Sequence, residues 1–400
     1  MKKTLLIILT FIVLLPNGMA QLVPLVSGTE NTLSLDLDRV YSYNQYEKSR
    51  WGLGLQYDIA LGGKRFQTLS LSGYGAYGYA DERFKWGLKA DLLGASVRQS
   101  HTYLGFFHDL TPAASRIVTT PAFAILTSPA SFMTRLFNDT YRLYWGHTDK
   151  VSRKLTGGIE LDLSRERNLY GNGIPCNKAQ LYPSYSELKD LMKYDFAELK
   201  FLFSHAFGWD GIVTLGLCNN SSMGTDFFLR VLTQYGRDFF FSPFHFKLYA
   251  QGGYVYGDTP YSRMFDLGGS WGCPLSLNHT LLTARQNEFT ARLFALVNMK
   301  LSTENPLFSL NNNLLAIGTA PQPFLLCNAA WGTSFSDNDI YPAPTEGIAE
   351  VGAGIDGILV WGLVRWGGAV VYRLTPTSAD YHFTEPKDNL VILLTARLNM

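Results

Sequence analysis

Histidine, cysteine, serine and paired carboxylates are the side chains that could make this 400-residue chain an enzyme or a metal protein, and their spacing builds no such site. His101 and His108 stand seven residues apart, which puts them on opposite faces of a straight strand, where they read as ordinary polar residues. No His-Glu-x-x-His or Cys-x-x-Cys spacing occurs. The four cysteines, Cys176, Cys218, Cys273 and Cys327, allow three pairings in an oxidising compartment, a Cys176–Cys273 loop bridge among them. Free thiols are the simpler expectation. A barrel phospholipase would need a serine nucleophile with a neighbouring histidine, and no His-x-Ser pair occurs. Asp36 with Asp38, and Asp337 with Asp339, could supply carboxylates for acid–base work, but a solvated strand face and an acidic loop account for them. No catalytic residue, metal or cofactor is therefore expected, and the chain is read as a non-enzyme.

The elements around these residues carry a clearer signal. Between residues 362 and 374, Val364, Trp366, Gly368, Val370 and Tyr372 alternate with Arg365, Gly367, Ala369, Val371 and Arg373. A strand sends alternate side chains to opposite faces, so this segment has one apolar, aromatic face and one that holds the charge. Val370 should then face lipid, where a cation is costly, while Val371 should face a polar lumen and tolerate one. The final stretch, 389–400, repeats the scheme with Leu390, Ile392, Leu394, Ala396 and Leu398 on one side and Thr395, Arg397 and Asn399 on the other. Its position predicts the closing strand of a transmembrane β-barrel.

Composition agrees, with 46% hydrophobic, 14% aromatic and 17% charged residues, 37 glycines and few helical patterns. Lys2 and Lys3, the apolar run 5–15, Pro16 and Gly18-Met19-Ala20 read as a secretory leader over residues 1–20, cleaved before Gln21. Its loss removes two lysines from a formal charge of +1, and so balanced a chain gives no sign of nucleic acid as partner. No later apolar run is long enough for a membrane helix, and only helices and closed barrels cross hydrocarbon with their backbone groups satisfied. Residues 21–400 are accordingly predicted to form one all-β domain, an antiparallel outer-membrane barrel of about sixteen strands. The first strand is expected at 32–43, lying beside the last. Long excursions are expected at 111–137, with a short helix capped by Ser128, and at 168–192, with a capping box of Ser184 and Glu187.

The last third resembles the surface-antigen superfamily of outer-membrane barrels, which includes outer-membrane assembly factors and two-partner secretion transporters. The likeness rests on Phe265-Asp266-Leu267-Gly268-Gly269, the strand with Glu288, Gly352-Ala353-Gly354-Ile355, and the run from Gly368 to Tyr372-Arg373-Leu374. Within the superfamily it is most similar to a barrel type found behind carboxypeptidase-regulatory-like domains, through the segment 77–85 and the run 347–355. The resemblance implies a protein assembly or translocation barrel, with Gly268, Gly269, Glu288, Tyr372 and Arg373 as its signature positions. It also implies an arginine folded into the lumen from the loop after Leu-Gly-Gly. The corresponding stretch here, 270–274, reads Ser-Trp-Gly-Cys-Pro, so no such arginine is expected. Nor is there length before residue 32 for periplasmic receiving domains, which makes a periplasmic protein, beside outer-membrane lipid, the expected partner. A passive or substrate-specific pore and a structural surface antigen are the alternatives.

Overall fold

The computed structural model describes residues 22–28, 30–36, 39–44, 47–63, 66–94, 100–112, 137–168, 193–220, 224–257, 263–267, 281–283, 290–303, 310–312, 317–333, 347–360, 364–375 and 390–398. All regular structure among them is β. The chain runs through β1 (Leu22–Ser27), β2 (Asn31–Asp36), β3 (Tyr41–Asn44), β4 (Lys48–Ala60), β5 (Phe66–Gly78), β6 (Phe84–Gly94) and β7 (His101–Pro112). Then come β8 (Phe137–Lys150), β9 (Leu155–Asn168), β10 (Lys193–His205), β11 (Trp209–Asn220), β12 (Gly224–Phe241) and β13 (Phe244–Tyr256). A two-stranded ribbon of β14 (Phe265–Asp266) and β15 (Thr290–Ala291) precedes β16 (Leu293–Thr303), β17 (Leu310–Asn312), β18 (Ile317–Thr333), β19 (Gly347–Val360), β20 (Val364–Arg373) and β21 (Leu390–Leu398).

Apart from the ribbon, these segments form a single sheet of nineteen in which sequence neighbours pair antiparallel. β2 and β3 flank the same side of β4, and β16 and β17 the same side of β18, so each pair is one interrupted strand and the sheet is seventeen strands wide. The sequence reading of about sixteen misses only β1.

The two faces are inverted relative to a water-soluble protein. On β9, Leu161 and Leu163 are exposed, whereas Glu160, Asp162, Ser164 and Glu166 are buried. β20 follows the same rule, with Val370 and Tyr372 exposed and Arg373 buried. Apolar area left in water forfeits roughly 25 cal/mol per Å², so a long exposed apolar face is stable only when another apolar phase covers it. Exposed aromatics mark both ends of that face: Trp51, Tyr77, Phe84 and Tyr141 at one, Phe207, Trp209, Phe240 and Phe244 at the other. Connections sort by end as well. The first end carries 113–136 and 169–192, and the second carries the turns 151–154, 206–208 and 242–243. No helix among the described residues is long and apolar enough to cross a membrane.

Two expectations are corrected here. Residues 31–36, the start of the expected first strand, are flanked by β1 on one side and β4 on the other, so the last strand does not lie beside them. The sheet edges are β1 and β21, and no ladder joins these two among the described residues. The reason is local, since Gly28 and Asn31 close a turn just before β2, where the Gly28 amide donates to the Asn31 carbonyl at 2.8 Å, and the chain folds back on itself. Val371, expected to tolerate charge, is fully buried on the inner face in an apolar cluster with Phe324, Leu326 and Ala369. A cation there meets packed side chains rather than water. The helix expected near Ser128 and the capping box of Ser184 and Glu187 lie outside the described residues.

The pairing of β1 is directly checkable. Val23 and Leu35 are cross-strand partners. In a background without native cysteines, Val23→Cys with Leu35→Cys should form an oxidative crosslink in folded protein, while Leu35→Cys with Ile392→Cys should not. The reverse result would show that β21, not β1, covers β2.

Candidate functional site

The inner face gathers charge that hydrocarbon or a dry core would not accept unpaired. β9 contributes Glu160, Asp162 and Glu166 at alternate positions, and β10 contributes Glu198 and Lys200. Lys200 Nζ reaches Glu160 at 2.9 Å and Asp162 at 2.5 Å. From β8, the Arg142 Nε donates to Asp162 at 2.8 Å and its Nη2 to Glu160 at 3.1 Å. The Tyr103 hydroxyl on β7 donates to the other Glu160 oxygen at 2.6 Å. Each acid therefore faces at least one cation held by an adjacent strand, and the period of two is what stacks them.

Glu166 and Glu198 are met by a residue from elsewhere in the chain. Arg263, in the connection between β13 and β16, donates from Nε to Glu198 at 2.5 Å and from Nη1 to Glu166 at 2.8 Å. Its guanidinium lies 3.6 Å from the centroid of the Phe196 ring, so it is stacked on a ring as well as paired. Asn138 of β8 donates to the second Glu166 oxygen at 3.1 Å.

The same connection is fastened again on the other side of its own strands. Glu350 of β19 accepts from the Leu282 amide at 2.7 Å, the Thr283 amide at 2.8 Å, the Thr283 hydroxyl at 2.6 Å and Asn328 Nδ2 at 2.6 Å. Arg373 of β20 donates to the Thr283 carbonyl at 2.8 Å and to its Oγ1 at 3.1 Å. Between these ties, Leu281 donates its amide to the Leu267 carbonyl at 2.7 Å. Phe265, Leu267 and Leu281 are fully buried with Leu232, Val255 and Phe294 of the wall. The Phe265 and Phe294 rings meet at 4.7 Å, and Arg230 caps Phe265 at 4.4 Å. Gly253 makes this seat possible, because a Cβ there would come within 2.4 Å of Phe294 and 2.7 Å of Phe265. The described parts of the connection thus form a strap on the inner face, tied to β9 and β10 at one end and to β18, β19 and β20 at the other.

A second charged group sits on β4, β5, β6 and β7. Lys85 is fully buried between Glu47, at 2.6 Å, and Asp81. Arg50 grips Asp109 through two bonds of 2.6 and 2.8 Å, and the Tyr74 hydroxyl donates to the same carboxylate at 2.6 Å. The arrangement ties four strands together and leaves no group poised to react. His101, on the inner face, pairs with Asp91, and His108, on the outer face, with Asp139, so the two histidines do fall on opposite faces. Cys218 and Cys327 are free.

Of the signature positions, Arg373 belongs to the strap's anchor, whereas Tyr372 points to the opposite, exposed face. Gly268, Gly269 and Glu288 lie outside the described residues, as do Cys176 and Cys273. So does the stretch 268–272, which spells Gly-Gly-Ser-Trp-Gly, the letters of a nucleophile elbow that sequence reading passed over. The stretch 270–274, where no arginine was expected, lies outside the described residues, and the inward arginine of this connection, Arg263, stands before Leu267. Glu350 was also missed, though its alternation with Val351 in the run 347–355 already placed it on the face opposite the apolar residues.

Removing Arg263 leaves Glu166 and Glu198 buried without their shared cation, a loss of roughly 3–5 kcal/mol. Arg263→Ala should lower the temperature at which the folded band of a semi-native gel converts to the unfolded one. Arg263→Lys should recover only part, since an ammonium cannot reproduce the two-pronged contact. Gly253→Leu should release the strap by steric clash, seen as new protease cleavage near Arg263 with the wall intact.

No protein-family model matches this chain, and neither does any curated protein sequence. Among solved structures, CdiB from Acinetobacter baumannii aligns over 92% of this chain and 59% of its own, with a TM-score of 0.47 and 10% identity. CdiB from Escherichia coli aligns over 93% and 63%, with a TM-score of 0.49 and 12% identity. The chain therefore spans less than two thirds of either CdiB. BamA from Haemophilus ducreyi lacking POTRA domains 1–3 aligns over 93% of this chain and 71% of its own, with a TM-score of 0.51 and 9% identity. At this identity the likeness is one of architecture: the antiparallel sheet has the fold of that BamA structure.

Proposed function

We propose that the chain is an integral outer-membrane β-barrel, made with a cleaved leader over residues 1–20, that acts without enzymatic chemistry in protein assembly or translocation. The sequence resemblance to assembly and secretion barrels supports this reading, as does the fold shared with BamA. The observation that carries it against an open pore is the strap. A connection tied by Arg263 to one part of the inner wall and by Glu350 and Arg373 to another covers inner face that a diffusion pore would leave clear.

Planar bilayers separate the classes. The wild-type protein should show a low or flickering conductance, and Arg263→Ala combined with Glu350→Ala should raise it by freeing the strap. A steady, large wild-type level that the double variant leaves unchanged would make it a passive pore. Depleting the protein from its host should in turn reduce the amount of folded outer-membrane barrels or of a secreted protein, with lipid-soluble dye entry unchanged.

A further inference from the structure

At the end that carries the turns 151–154, 206–208 and 242–243, one strand runs on after its neighbour has stopped. β11 and β12 are in register from Asn220↔Gly224 to Trp209↔Tyr235, whereas β12 and β13 stay paired as far as Phe241↔Phe244. Residues 237–241 of β12 therefore overhang β11. The turn between β10 and β11 sets this limit. Gly208, at a φ of 87°, brings that turn so close to β12 that a Cβ there would collide with the Gly236 carbonyl oxygen. The Gly236 amide donates to the Gly208 carbonyl at 2.9 Å, and there the β10–β11 hairpin ends.

In an antiparallel pair, successive residues send both their amide and their carbonyl first toward the partner strand and then away from it. Gly236 sends its amide away from β13, to Gly208, so Asp238 and Phe240 direct theirs the same way. Those four backbone groups have no partner among the described residues, along an edge of about 17 Å. The side chains beside them are apolar on both faces. Phe240, on the inner face, is 67% exposed with its ring stacked on His245 at 4.3 Å, and Phe241, on the outer face, is 59% exposed. The devices that blunt a free edge are missing, since 237–241 holds no proline or lysine and its register with β13 is unbroken. β1, at the end of the sheet, has both Pro24 and a register shift between Pro24 and Val26.

We infer that the β12 overhang is a docking edge, on which an extended segment of a periplasmic protein adds as an antiparallel strand bonded to the backbone of Asp238 and Phe240. The compartment alone rests on the outer-membrane reading, in which the short turns face the periplasm. The side chains define the segment. Arg237 shares the outer face with Phe239 and Phe241 and has no carboxylate partner among the described residues, so an acid opposite Arg237 and apolar residues opposite both rings complete that face. An apolar residue opposite Phe240 covers the inner one. The β12 of a second copy is not this occupant, because copies in one membrane run it in the same direction and cannot pair it antiparallel.

Fluorescence anisotropy on the full-length protein in nanodiscs provides the test, with a labelled peptide carrying the run Val-Val-Val-Thr-Glu. Paired antiparallel, it sets its middle valine opposite Phe240 and its glutamate opposite Arg237. The peptide should bind. Methylating the amides of its middle valine and threonine, which face β12, should abolish binding, while methylating the first valine, third valine and glutamate should leave it. Asp238→Pro removes one outward donor without touching the ladder to β13 and should weaken binding about fivefold, the effect of one hydrogen bond. Phe240→Ala, which keeps the backbone, should weaken it through the lost ring. Heat-modifiable mobility checks that each variant is folded, and the pair of methylated peptides keeps the test decisive if one is not. No binding, equal binding of the two methylated peptides, or equal binding by wild type and both folded variants would overturn the docking edge. A separate label checks the compartment: Phe240→Cys, in a background without native cysteines, should react with an impermeant maleimide only after the outer membrane is permeabilised. Reaction in intact cells would refute the periplasmic occupant and the topology beneath it, whatever the peptide does.

Discussion

A carboxylate taken out of water is stable only where cations or several donors meet it, and the inner face of this sheet carries Glu160, Asp162, Glu166, Glu198 and Glu350, all buried. Arg142 and Lys200 satisfy the first two from neighbouring strands. The pair Glu166 and Glu198 receives its shared arginine from the connection between β13 and β16, and Glu350 receives two backbone amides from the same connection. The wall and the strap are therefore interdependent. An inward acid that would destabilise an empty sheet becomes the reason the strap is held, and the strap in turn supplies the donors that the acid needs.

This interdependence bears on how the strap could move. Its apolar seat, where Phe265 packs on Phe294 above Gly253, is non-directional and would allow sliding. The ionic ties are directional and few. Releasing the end tied to β9 and β10 requires Arg263 to leave two carboxylates at once. A barrel that handles polypeptide needs such an obstacle to be removable. A barrel that conducts small solutes continuously does not need it at all.

The edges pose a separate constraint. Unpaired strand edges leave donors and acceptors unmet wherever water is excluded, and among the described residues β1 and β21 each have a ladder on one side. With seventeen antiparallel strands the first and last run in the same direction, and a ladder between them is parallel.

Alternation alone located most of the wall: the exposed Val370 and Tyr372, the buried Arg373 and the opposed His101 and His108 follow from a period of two, because a strand has only two directions in which to send a side chain. The Leu-Gly-Gly segment likewise drew attention to the connection that forms the strap. What the residues could not determine was which inward positions see water and which see protein. Val371 and Glu350 share the inner face, yet one packs against Phe324 and the other receives four hydrogen bonds, and only the folded strap distinguishes them. Arg263 was invisible for the same reason, since its partners Glu166 and Glu198 lie 97 and 65 residues away and meet it only once the sheet is formed. Sequence sets the face of each side chain through local geometry; the tertiary structure alone decides what stands opposite it.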